Sequence, residues 1–111
     1  MAPYVPQKGD YVSVTLDPQS GHEQKGRRPA LVISNTDFNK HTGLAIVCPL
    51  TNANRKFPFH VPVGGDAAMT GFVMVEQVKS LDFRTRGFKH IGKASNAILE
   101  EVLALLDACI Y

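Results

Sequence analysis

Helical periodicity is confined to one end of this sequence. From Ser95 onward, Ile98, Leu99, Val102, Leu103, Leu106, Cys109 and Ile110 recur at three- and four-residue spacing, leaving Glu100, Ala104 and Asp107 on the opposite face. Ser95 stands just ahead of the pattern, where its hydroxyl can cap the first free amides of a helix. Everything earlier consists of short apolar runs cut by proline, glycine and polar loops. Several short strands followed by one amphipathic helix predict a mainly β, α+β chain. The expected form is a strongly bent antiparallel sheet or small barrel, with the helix covering an opening.

Tyr11 to Leu16 alternates apolar and polar, the pattern of a half-buried strand, and Asp17-Pro18 stops it. Pro29 to Ser34 is a continuous β-branched run and predicts a central strand covered on both faces. Between them lies a loop carrying Glu23, Lys25, Arg27 and Arg28, too decorated for a simple hairpin. Asn35 to Gly43 predicts turns with one helical turn, and Leu44 to Leu50 a third strand. Phe57 to Val63 has prolines at 58 and 62, which suit a sheet edge. Gly64 to Asp66 reads as a turn, Gly71 to Leu81 as one strand with polar residues at its end, Asp82 to Arg86 as a charged turn, and Gly87 to Lys93 as a short strand.

The 111 residues predict a single domain, 1–111, large enough to bury one core. Cys48 and Cys109 sit singly in apolar runs with no CxxC, so both are expected to be reduced core residues. The opening Met-Ala-Pro-Tyr-Val-Pro lacks the pattern of a leader, and no apolar run approaches the roughly 18 residues of a membrane span. A soluble cytoplasmic protein with no membrane association is expected. The net charge of +2 is unevenly placed: residues 98–111 carry Glu100, Glu101 and Asp107 and no Lys or Arg, leaving twelve basic against seven acidic side chains in the first 97 residues. Such a bias suits a polyanionic partner as well as an ordinary mixed surface.

The histidines at 22, 41, 60 and 90 have no metal-ligand spacing, phosphate-loop and dinucleotide fingerprints are absent, and no GxSxG occurs. Neither metal nor cofactor is expected. What remains is a set of loop groups: Glu23 and Arg28, Thr51 opening a second loop, and Glu76 with Lys79 ending a strand. A carboxylate, a guanidinium and a hydroxyl suit metal-free phosphodiester chemistry in which RNA supplies its own 2′-hydroxyl nucleophile. Spacing alone favours Glu23 and Arg28 as a solvated ion pair and Thr51 as a turn residue, and allows Glu76 and Lys79 as the point where a strand meets solvent. Phe57, Phe83 and Phe88 read either as core or as stacking surfaces for an unpaired base.

The pattern GD-x3-V-x-LDP-x2-G-x-EQ-x-G-x-RP-A-LVIS from Gly9 to Ser34, with Pro49-Leu50-Thr51 and Glu76 to Asp82 (EQVKSLD), resembles the MazF/PemK/Kid family of bacterial toxin endoribonucleases. The likeness covers essentially the whole chain. It implies a homodimer of small SH3-like β-barrels, CcdB/PemK-like, each with a C-terminal helix. It implies a ribosome-independent mRNA interferase that cuts single-stranded RNA at short sequences, leaving a 2′,3′-cyclic phosphate and a 5′-hydroxyl. It also implies a cognate MazE-like antitoxin whose acidic tail occupies the RNA groove. Arg28 and Thr51 match the family's principal catalytic Arg and Thr, Glu23 a loop Glu implicated in activity, and Glu76 an Asp proposed as general base in one branch. Ser13 stands where many members have Trp.

Under that resemblance Lys25, Arg27, Arg55, Lys56, Gln77, Lys79, Arg84 and Arg86 become expected RNA contacts, joined by Lys89, with phosphates positioning the strand and base edges specifying it. The runner-up is a toxin of the same fold that poisons DNA gyrase by protein binding, resembling CcdB; a plain SH3-like interaction module is third.

Overall fold

The computed structural model describes residues 3–15, 27–64 and 68–111. These contain β1 (Asp10–Thr15), β2 (Arg27–Val32), α1 (Thr36–Thr42), β3 (Leu44–Thr51), β4 (His60–Pro62), β5 (Phe72–Met74), β6 (Lys79–Asp82), β7 (Lys89–Lys93) and α2 (Asn96–Ile110). A 3-10 turn, Val75–Gln77, joins β5 to β6.

All strand pairs are antiparallel, in the order β4-β5-β3-β2-β1-β7, with β6 also paired to β3. The eight-residue β3 is the hub, because it is long enough to bond two partners in succession along one edge. Leu44–Val47 pair with β6, and Leu50–Thr51 pair with β5. The sheet does not close into the expected barrel: β4 and β7, its two ends, are not hydrogen-bonded to each other. β4 has only three residues and finishes in Pro62, which has no N–H to give to a further strand.

Side-chain alternation divides the interior into two clusters. Leu31, Cys48, Leu50, Val61, Val73 and Val75 form one, with Ile98, Leu99, Val102, Leu103 and Leu106 of α2 packed on it. Val12, Val14, Ala30, Val32, Val47, Leu81, Phe83 and Phe88 form the other. The neighbours Leu31 and Val32, like Val47 and Cys48, go to opposite clusters, which is why their strands read as uninterrupted apolar runs. Phe83 and Phe88 are therefore core residues.

Three expectations need correction. Gly71 to Leu81 is not one strand, because β5 and β6 meet β3 in different registers. Moving from Leu50 to Val47 advances three residues along β3, while the partner advances six, from Val73 to Lys79. The surplus is taken up by the turn Val75–Gln77. The single helical turn expected near residue 40 is a seven-residue helix, α1. Asn35 caps it by accepting from the Phe38 amide at 2.8 Å, and Gly43 ends it in the left-handed conformation (φ 75°). Cys109 is exposed, not core, because α2 runs beyond the sheet it covers and its end carries Ile110 and Tyr111 into solvent.

Candidate active site

The site follows from the registers. Ala30 of β2 pairs with Pro49 of β3. Two residues onward along each strand, on the same face and in the same register, stand Arg28 and Thr51. On the other side of β3, Leu50 pairs with Val73, and the adjoining Met74 pairs with His60 of β4. Leu50, Val61 and Val73 turn into the first core, so the alternate residues His60, Met74, Pro49, Thr51 and Arg28 share the opposite face. There a cavity of about 440 Å³ opens, lined by these residues with Leu50, Arg55, Glu76, Gln77 and Lys79. A smaller hollow of about 120 Å³ adjoins it, lined by Arg28, Thr51, Asn52, Met69 and Thr70 among others. Arg28 and Thr51 belong to both.

Each group has a definable chemical state or orientation. The Thr51 hydroxyl oxygen accepts from the Ala53 amide at 3.2 Å, so its own proton remains available to a ligand. Glu76 rises from the 3-10 turn, and its Oε2 lies 2.9 Å from Nε2 of His60, whose side chain is only 5 % exposed. The His60 ring also packs edge-on against Phe57, with centroids 5.1 Å apart. Cys48 belongs to the core on the other face of β3. Burial above all, then the charge of Glu76 and proximity to Cys109, push its thiol up to about 12, so it is no nucleophile at neutral pH.

Of the four catalytic candidates, Arg28, Thr51 and Glu76 meet in the one cavity; Glu23 lies outside the described residues. Of the expected RNA contacts, Arg55, Gln77 and Lys79 line the same cavity, and Lys25 lies outside the described residues. Arg27 points elsewhere: its guanidinium donates to Ser13 Oγ (3.0 Å), Thr15 Oγ1 (3.2 Å), Ser13 O (2.8 Å) and Gly87 O (2.7 Å). Arg86 donates to Thr15 O at 3.1 Å, and Arg84 lies over the Phe83 ring. Neither lines the cavity, nor does the exposed Lys56. Sequence reasoning missed His60 and Met74. The signal for both was the β4–β5 register, which the prolines at 58 and 62 obscured.

The match to known proteins has the same extent as this fold. Residues 7–110 match the model of the PemK-like, MazF-like toxin of type II toxin-antitoxin systems. The chain belongs to that family. It is 41% identical over 109 residues to the endoribonuclease toxin ChpB of Escherichia coli K12, covering 94% of this chain and 93% of that protein. The endoribonuclease toxin MazF of the same strain is 36% identical over 107 residues, 96% of each. Among solved structures, MazF from Deinococcus radiodurans superposes with a TM-score of 0.87 at 38% identity, over 97% of this chain and 98% of that one. A MazE–MazF structure from the same organism gives 0.87 at 36% identity, over 96% and 97%. Membership thus rests on nearly the full length of both partners in each comparison.

Proposed function

We propose that this chain is the toxin of a toxin–antitoxin pair: a sequence-specific, metal-independent endoribonuclease that cuts single-stranded RNA. The observation that carries the reading is the convergence of Arg28, Thr51 and Glu76 on one cavity in a chain of this family. Names of relatives support it, since ChpB and MazF are both endoribonuclease toxins. The gyrase-poison alternative draws no support from them.

The scissile phosphate sits between the two hollows, within reach of the Arg28 guanidinium and the Thr51 hydroxyl, with a nucleotide entering each hollow. Glu76 takes the proton of the 2′-hydroxyl as that oxygen attacks phosphorus. A new bond forms between the 2′-oxygen and phosphorus, the bond to the 5′-oxygen breaks, and the 5′-oxygen picks up a proton from solvent. The products are a 2′,3′-cyclic phosphate and a 5′-hydroxyl. Arg28 stabilises the charge that grows on the non-bridging oxygens, by paired hydrogen bonds of a kind a guanidinium makes readily. Because the substrate supplies its own nucleophile, no metal is needed to activate water. Arg55, Gln77 and Lys79 hold the strand, and Glu23 and Lys25 are proposed to contribute as well. The toxin is further proposed to act in the cytoplasm as a homodimer and to be neutralised by a MazE-like antitoxin. No helix among the described residues is long and apolar enough to cross a membrane.

The test is incubation of the purified protein with single-stranded RNA in excess EDTA, beside the same strand made entirely of 2′-deoxynucleotides. Cleavage of the RNA alone, with cyclic phosphate ends, is the expected result. Activity that needs the metal, or that survives on the deoxy strand, overturns the mechanism.

A further inference from the structure

Among the described residues, one buried side-chain polar atom has no hydrogen-bond partner: Nδ1 of His60. The other ring nitrogen, Nε2, lies 2.9 Å from Oε2 of Glu76, and both residues line the cavity that holds Arg28 and Thr51. An ionised carboxylate can only accept, so the 2.9 Å contact selects the form of the ring with a proton on Nε2, and the partnerless Nδ1 needs none. In that form His60 donates to the Glu76 carboxylate.

We infer that His60 is a positioning residue for RNA cleavage: it fixes the Glu76 carboxylate through Oε2 and so presents Oε1 as the oxygen that receives the 2′-hydroxyl proton. This rests on the role proposed for Glu76 above. The 3-10 turn explains why such a residue is needed. Glu76 stands on a three-residue turn, not on a strand, and its side chain is 29 % exposed, so the backbone alone does little to restrict it. His60 is anchored on β4 by pairing with Met74, with its side chain nearly sealed from solvent. A buried donor thereby orients a more exposed acceptor, the arrangement a proton transfer in a defined direction requires. Phe57 packs edge-on against the ring, and the ring bonds the carboxylate.

The test compares four variants on single-stranded RNA that the wild-type protein cuts. His60→Phe keeps a ring against Phe57 and deletes the donor; His60→Gln restores an amide N–H near the position of Nε2. The expected results are a fall in kcat of about tenfold for His60→Phe, the rate equivalent of one charged hydrogen bond, with KM within about twofold of wild type. His60→Gln should recover most of the loss. Because His60 acts through Glu76, the double variant Glu76→Gln with His60→Phe should be no slower than Glu76→Gln alone. If the phenylalanine variant does not fold, His60→Asn, whose shorter amide falls short of Glu76, replaces it with the same expectations. A folded donor-less variant with wild-type kcat, a multiplicative double variant, or a Glu76→Gln variant of undiminished kcat overturns the inference. Wild-type protein that leaves RNA intact is a failure of the proposed function instead, and the two outcomes are read in different samples.

Discussion

Arg27 and Arg28 are adjacent and identical in type, yet they face opposite ways and have different work. Arg27 makes four hydrogen bonds, to Ser13, Thr15 and Gly87, and ties β1 to the turn before β7. Arg28 lines both hollows beside Thr51. Arg28→Ala is therefore expected to lower kcat by about 10²-fold or more, as loss of a preorganised charge stabiliser does, without changing the denaturation midpoint. Arg27→Ala is expected to do the reverse: about 2 kcal/mol or more of stability lost in urea denaturation, with kcat of the folded protein nearly unchanged. Equal loss of activity in both variants would contradict this division. From sequence only the family resemblance separates Arg28, the catalytic match, from Arg27, an expected RNA contact, because a charge run does not show which member alternation turns toward the cavity. Ser13, noted only as a departure from the family's usual Trp, is the residue that accepts two of the Arg27 bonds. Its small side chain makes room for the guanidinium.

At the level of elements, the strands and α2 were legible because period-two and three-to-four-residue spacing survive in the sequence. The turn that carries Glu76 was not. The polar residues from Glu76 read as the end of a single strand, since Val75 continues the apolar run up to them; the break comes from the two registers against β3. Thr51, Glu76 and His60 are thus brought together by pairings that no single segment encodes. Gly71 holds that junction. Its φ is +101°, and a Cβ there would stand 2.4 Å from the carbonyl oxygen of Thr51. Gly71→Ala is expected to cost about 1–3 kcal/mol of stability, as a residue forced into a disfavoured backbone region does, and to displace the Thr51 backbone. Denaturation measures the first effect. Cleavage by the remaining folded protein measures the second, and it should fall even at temperatures where the variant is fully folded.

Across the whole molecule, charge is sorted into a structural set and a cavity set, and each makes its own dependence measurable. At one end of the sheet Asp10 is 3 % exposed and gathers Lys93 (2.7 Å), the Tyr4 hydroxyl (2.5 Å) and the Gln7 amide (2.9 Å), fastening the segment before β1 to β7. Burial by itself raises the Asp10 carboxyl, but the hydrogen bonds from Lys93, Tyr4 and Gln7 outweigh it and hold the group below its ordinary value. Its contribution is therefore complete above the unfolded value of about 3.9 and is lost as pH falls through the lower folded one. Asp10→Asn should be less stable than wild type at pH 7, with the gap narrowing only in strong acid; a constant gap down to the acid transition would show that ionisation is not what matters. Among the described residues, the cations in the cavity are Arg28, Arg55 and Lys79, whereas Arg27, Arg84 and Arg86 are occupied or turned elsewhere. The eight basic side chains expected from sequence to meet RNA would give a salt slope of about −5 to −6 in log affinity for a single strand; these three, with Lys25 as proposed, give about −2 to −3. Binding of a short all-deoxy strand, which the proposed mechanism leaves uncut, measured between low and moderate salt should follow the shallower slope. A slope near −5 would mean that phosphates contact the Arg84 and Arg86 surface as well, and that the strand path extends well beyond the Arg28–Thr51 cavity.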